Sequence, residues 1–286
     1  MGKLPSISEL RKICQPEDEV VHQRGVGRRI TLFIRYISIY ITYPLLYTPI
    51  SANQVTILHG IVYLAGCSLL ITAEPLLVLI GVVVMRLAGF LDYVDGEIAR
   101  YRGTSGAEGG FLDLLIDTIG RTYLFVALTV GLYRALPGVS VIVFGSLSML
   151  ALVTSSVTPI IQRVMMLDEI MERIGSKAGK ETTSQPKAQA FWLRFYSPER
   201  WLPKALGFVV CHFNAVNLLV LAAVVDLALS LLLPALPLFR ALYVFLAFYA
   251  VLGSFDAIAK VAYVVGNRQI QLDSQAMLKE EQSGDS

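Results

Sequence analysis

Asp92-Tyr93-Val94-Asp95-Gly96-Glu97-Ile98-Ala99-Arg100 is followed, after eight residues, by Gly109 and then by Asp113 and Asp117 at four-residue steps. Four carboxylates thus sit inside some of the most apolar sequence in the chain. An ionised carboxylate at the centre of a bilayer costs about 2.5–3.5 kcal/mol on insertion scales. Four of them do not persist on lipid-facing surfaces. They must face one another, a cation or a water-filled cavity.

Outward from this stretch, the chain reads as a membrane protein. Of its 286 residues 55% are hydrophobic and only 16% charged, and several apolar runs approach the roughly 20 residues that cross a hydrocarbon core. The expected fold is an all-α integral membrane protein, with six transmembrane helices and an N-terminal interfacial amphipathic helix. A net charge of +2 gives no footprint for nucleic acid. Cys14, Cys67 and Cys211 are odd in number and far apart, so they form neither a disulfide framework nor a metal-ligand spacing. The first 27 residues hold no apolar core segment, so no cleavable signal peptide is expected.

Residues 1–27 read as a cytosolic tail, with Ser6 and Glu9 at capping-box spacing for a short helix. Residues 28–47 combine arginines at one end with Tyr36, Tyr40 and Tyr43 at helical spacing, a pattern suited to lying in the interface. Residues 48–265 form the membrane domain, with Ser51 or Asn53 as the cap of its first helix. Its spans are expected at about 53–73, 76–100, 109–134, 139–165, 204–233 and 238–265, and residues 101–108 form a short polar connector. Residues 166–203 are too polar to span and read as a cytosolic loop. Residues 266–286 are a polar tail. Nearly all Lys and Arg then fall on one side, which should be cytoplasmic. The four acids lie near that face.

Asp92 and Asp95, three apart, share a helical face, and Asp113 and Asp117, four apart, share another. A short connector makes the two helices antiparallel neighbours whose acids can meet. Hard oxygen ligands with no His or Cys expected nearby point to Mg²⁺, Mn²⁺ or Ca²⁺ rather than Zn²⁺. A magnesium site with open positions suits a phosphate-bearing substrate. Gly96, Ala99 and Gly109 leave space for a ligand, or serve close helix packing.

The spacing D-x2-D-G-x2-A-R-x8-G-x3-D-x3-D, complete from Asp92 to Asp117, resembles the signature of the CDP-alcohol phosphotransferase (CDP-alcohol phosphatidyltransferase) family. Asn53-x-x-Thr56 at the first span agrees with it. The resemblance implies an enzyme of phospholipid biosynthesis, a transferase moving a substituted phosphate from a CDP-alcohol lipid such as CDP-diacylglycerol to an acceptor alcohol, with release of CMP. It implies one or two Mg²⁺ or Mn²⁺ ions on Asp92, Asp95 and Asp113. Asp117 would touch metal and act as catalytic base. Gly96, Ala99, Arg100 and Gly109 would form the nucleotide site. Membrane lipids and a second copy of the chain are the further partners implied.

For the acceptor, inositol phosphate or glycerol phosphate, the basic candidates are Arg121, Arg163 and Lys204. Arg121 fits an ion pair with Asp117 equally well, and Arg163 and Lys204 fit positive-inside anchors. His59 reads as a polar packing contact, Asp256 with Lys260 as an intrahelical ion pair, and Glu97 as a mark of inositol-type or archaeal ether lipid synthesis or as a residue facing the cytosol. A cation transporter and a non-catalytic membrane scaffold are the competing classes. Clustering at one face argues against the first, because an ion path needs polar groups through the whole depth, and the intact acid set argues against the second.

Overall fold

The computed structural model describes residues 5–16, 25–177, 212–233 and 239–266, and all regular structure among them is helical. The elements are α1 (Ile7–Cys14), α2 (Gly25–Leu45), α3 (Ala52–Leu70), α4 (Pro75–Arg102), α5 (Ala107–Ala135), α6 (Val139–Lys177), α7 (His212–Leu232) and α8 (Arg240–Gly266).

Local chemistry sets most of the boundaries. Ser6 caps α1 and Ser51 caps α3, each in a reciprocal capping box, with Glu9 and Gln54 respectively, so orphan backbone donors are satisfied at both starts. Pro75 opens α4, where its missing N–H has no helical partner to lose. Gly103 closes α4 in the left-handed conformation, φ 65°, which a residue without Cβ adopts freely. The connector to α5 is therefore only residues 103–106. The fourth expected span ends at 165, but α6 continues to Lys177 into the first part of the expected 166–203 loop. Residues 178–203, the expected start of the fifth span at 204–211, Cys211 and the tail from 267 lie outside the described residues.

Among the described residues, four helices are long and apolar enough to cross a membrane: α3, α4, the Val139–Thr158 part of α6, and the Arg240–Ala259 part of α8. Val216–Leu232 of α7 is a shorter apolar stretch. The acid-bearing α5 also carries Glu108, Arg121 and Arg134.

α3 is the centre of the site-bearing half. It packs against both α4 and α5, and the two acid-bearing helices lie closer to α3 than to each other. They are thus not the direct neighbours that the short connector implies. Small residues allow the approach: a Cβ on Gly81 would lie 2.5 Å from the Gly66 carbonyl oxygen, so the α3 and α4 backbones meet with no room for a side chain. The main core joins α3, α4 and α5 to α6, α7 and α8 through Cys67, Met85, Leu128, Leu152, Leu219 and Leu246, among others.

A second, smaller core lies under the N-terminal segment. Leu10 and Cys14 of α1, Ile39 of α2, Val55 of α3 and Val94 and Ile98 of α4 are buried together. Residues 7–14 are therefore docked structure rather than a loose tail. Helix α2 buries Ile34, Arg35, Ser38, Ile39 and Thr42 and exposes Leu32, Phe33, Tyr36 and Tyr40. Arg35, read from sequence as part of a basic interfacial end, is buried and donates to the Pro16 carbonyl at 3.4 Å.

Candidate active site

Asp92 and Asp95 occupy the last turns of α4, and Asp113 and Asp117 the second and third turns of α5. Asp95 is buried, and the Thr56 hydroxyl of α3 donates to its Oδ2 at 2.6 Å. That bond fixes the rotamer and leaves Oδ1 for another partner. Asp92 and Asp117 are part-exposed, and an oxygen of each, with a nitrogen of His59 on α3, lies in a group whose ligand atoms are all within 4.8 Å of one another. Asp113 is half-buried, and its Oδ1 is buried without a hydrogen-bond partner among the described residues. So Asp92 of α4 and Asp117 of α5 come together with His59 of α3, while Asp95 is held by Thr56, also of α3.

Their charge is only partly answered by the protein. Arg121, one turn beyond Asp117, forms an ion pair with Asp117 through Nη2 and donates from Nε to the Asp117 carbonyl at 3.2 Å. Arg100 donates from Nε to the Cys14 carbonyl at 2.6 Å, and its guanidinium passes over Gly96, where an added Cβ would meet it at 3.4 Å. The Gly109 position faces the Asn53 side chain, 3.6 Å from an added Cβ. Gly96, Ala99, Arg100 and Gly109 thus lie on the α4–α5 turns beside the acids. Arg163 lies on α6, its side chain among those not described, and Lys204 is outside the described residues.

A cavity of about 170 Å³ opens beside the acids, lined by His59, Arg86, Asp92, Tyr93, Asp117 and Arg121 among others. Sequence reading missed Arg86, which donates from Nε to Asn217 of α7 at 3.0 Å. It also took His59 for a packing residue. The available signal was helical spacing: Thr56, His59 and Tyr63 recur at steps of three and four, as do Arg86, Gly89 and Tyr93, so each trio lines one face.

Glu97 lies on the other side of α4, 1% exposed. It accepts hydrogen bonds from Gln15 Nε2 at 2.7 Å, Ser38 Oγ at 2.5 Å and Thr42 Oγ1 at 2.5 Å. The expectation that it faces the cytosol is overturned: it fastens α1 and α2 to α4. Asp256, expected to pair with Lys260, accepts from Ser155 of α6 at 2.9 Å; the Lys260 side chain lies outside the described ones.

A family profile describing the CDP-alcohol phosphatidyltransferases matches residues 49–213. The chain belongs to that family. As a CDP-alcohol phosphatidyltransferase it is a transferase of substituted phosphate groups, moving a phosphatidyl-type group from a CDP-alcohol to an acceptor alcohol in phospholipid synthesis. Divalent metals serve such transferases. No curated protein matches the chain. Among solved structures, the chain is similar to phosphatidylinositol phosphate synthase (PgsA1) of Mycobacterium tuberculosis with CDP-DAG bound, at 18% identity and TM-score 0.46, covering 79% of this chain and 92% of that one. The same synthase in complex with manganese and citrate matches at 19% identity and TM-score 0.44, covering 80% and 88%. Its apo form matches at 19% and 0.45, covering 78% and 94%.

Proposed function

We propose that the Asp92–Asp117 cluster is the catalytic centre, with Asp92, Asp95 and Asp113 as metal ligands and Asp117 as the base. The observation that carries this reading is the proximity itself: an oxygen of Asp92 and one of Asp117 within 4.8 Å, and the Asp113 Oδ1 buried without a hydrogen-bond partner among the described residues. Such an arrangement is costly without a compensating cation. Carboxylate oxygens are the donors that Mg²⁺ and Mn²⁺ take, so the donor set fits the ion. Asp92, Asp95 and Asp113 would hold it, with Asp117 at its edge. A divalent cation held by these residues would supply charge neutralisation for the diphosphate and for the leaving CMP.

The residues divide the remaining work. Gly96, Ala99 and Gly109 leave the α4–α5 turns open to the cytidine nucleotide, and Arg100 over Gly96 carries positive charge to its phosphates. Asp117 accepts the proton of the acceptor hydroxyl while that oxygen bonds to the phosphorus on the alcohol side. The bond from this phosphorus to the CMP oxygen breaks, and its electron pair leaves with CMP. Arg121 holds Asp117 in place through its ion pair. Arg86 and Arg121 line the same cavity, which favours a phosphorylated acceptor, inositol phosphate or glycerol phosphate, over an uncharged alcohol. Arg163 and Lys204 are the further basic candidates for that site.

We further infer a topology of six spans, α3 to α8, within a membrane domain of residues 48–265, flanked by the segments 1–27, 28–47 and 266–286. The outward Phe33, Tyr36 and Tyr40 support an interfacial α2, and the Lys and Arg distribution supports a cytoplasmic site. A homodimer is the assembly that the family resemblance implies.

The deciding experiment incubates purified protein with CDP-diacylglycerol, Mg²⁺ and a panel of acceptors and measures CMP. Asp117→Asn is expected to lower turnover by about 10²–10⁴-fold, the usual contribution of a general base, and EDTA is expected to stop the wild type. Undiminished turnover in Asp117→Asn sinks the assignment.

A further inference from the structure

We propose that His59 is a nitrogen ligand of the metal centre, so that the site favours Mn²⁺ over Mg²⁺ more strongly than carboxylates alone would. This rests on the reading of the acid cluster as a metal site. His59 is 5% exposed, and its Nδ1 is buried without a hydrogen-bond partner among the described residues. A buried imidazole nitrogen normally finds a donor or acceptor. Instead this one points at Asp92, 3.9 Å from Oδ1, and belongs with Asp92 and Asp117 to the group whose ligand atoms lie within 4.8 Å of one another.

A packing role accounts for only part of this. The ring meets Tyr63 edge-on, centroids 6.1 Å apart, and that contact uses the ring's apolar body. It gives the ring nitrogen nothing to bond. Thr56, one turn earlier on the same face, already serves Asp95, so α3 sends two successive polar side chains into the acid cluster. Imidazole is a borderline ligand that suits first-row transition ions, whereas Mg²⁺ takes oxygen. One nitrogen among the oxygens therefore changes which ion the cleft prefers without changing its charge.

The test uses full-length, tag-free protein in detergent, loaded with Mn²⁺, and reads nitrogen coupling by electron spin echo envelope modulation. The wild type is expected to show ¹⁴N modulation and His59→Gln to show none. The Mn²⁺/Mg²⁺ affinity ratio in His59→Gln should fall about tenfold. The chain has three histidines, His22, His59 and His212. A His22→Gln/His212→Gln variant should keep the modulation, which assigns the signal to His59 even if His59→Gln does not fold. Stoichiometric Mn²⁺ without modulation in the wild type, or modulation surviving in His59→Gln, overturns the role of His59 and leaves the acids as ligands. No Mn²⁺ binding at all overturns both readings.

Discussion

Replacing Glu97 with alanine strips three donors of their acceptor, the buried Ser38 and Thr42 and the half-buried Gln15. Charge-assisted hydrogen bonds contribute about 1.5–3 kcal/mol each. Two donors have a fallback: Gln15 Nε2 also reaches the Arg35 carbonyl at 2.6 Å, and Ser38 Oγ reaches it at 3.3 Å. Each of those losses is set at about 1 kcal/mol. Thr42 Oγ1 faces the vacated space, a loss of about 2 kcal/mol. The sum is about 4 kcal/mol, equivalent to roughly 10 °C in melting temperature at about 2–4 °C per kcal/mol for a domain of this size class. Glu97→Gln keeps one acceptor oxygen and should lose about a third as much. The assay is thermal unfolding in detergent with a thiol-reactive fluorophore, since Cys14 and Cys67 are buried and free and become reactive on unfolding. A solvent-facing glutamate at this position would cost within about 0.5 kcal/mol. A Glu97→Ala melting temperature within 2 °C of wild type, about the shift that figure allows, refutes the reasoning.

Gly81→Ala places a Cβ 2.5 Å from the Gly66 carbonyl oxygen and should destabilise by about 1–3 kcal/mol through overpacking, read in the same melt; an unchanged melting temperature contradicts the close α3–α4 approach. Arg121→Ala should raise KM for a phosphorylated acceptor about tenfold and leave KM for the CDP-alcohol unchanged, with Arg121→Lys recovering only part; an unaltered acceptor KM confines Arg121 to holding Asp117. Burial, aided by the charge of Glu97 and opposed by Arg100, pushes the Cys14 thiol from 9.0 up to about 11. The folded state thus holds this proton more tightly than the unfolded chain, so the stability Cys14 contributes is full below pH 9 and is lost as pH rises towards 11. Iodoacetamide should label Cys14 slowly at pH 8, where roughly one thiol in a thousand is ionised, and rapid labelling of Cys14 itself in the folded protein, located by peptide mapping, would contradict the docked α1.

The acids were legible in sequence because helical periodicity and charge act locally. Asp92 with Asp95, and Asp113 with Asp117, declare their shared faces by spacing alone, and Ser6 with Glu9 declares one helix start; for the next the sequence offers Ser51 or Asn53, and the structure selects Ser51. What stayed hidden depends on partners remote along the chain. Glu97 meets Gln15, Arg86 meets Asn217, and Arg100 meets the Cys14 carbonyl, pairings across roughly 80 to 130 positions that no local pattern encodes. Arg35 reads as interfacial because a buried arginine looks the same in sequence as a snorkelling one. His59 looked like packing because its significance comes from the helix opposite. The contact between α4 and α5 was overestimated because a short connector brings helix ends together, while the packing of their shafts is decided by α3.

The tie between Glu97 and the N-terminal helices bears on how far the acidic motif can be moved between proteins. Glu97 occupies one of the motif's unspecified positions, yet its side chain is fitted to Gln15, Ser38 and Thr42, residues that come earlier in the chain. A chimera that transplants residues 92–117 into another member, or receives that member's motif, would bring every fixed letter and still join mismatched surfaces on the far side of α4. The exchangeable unit is therefore larger than the motif, running from α1 through α5, and an interchange of catalytic segments should respect that seam.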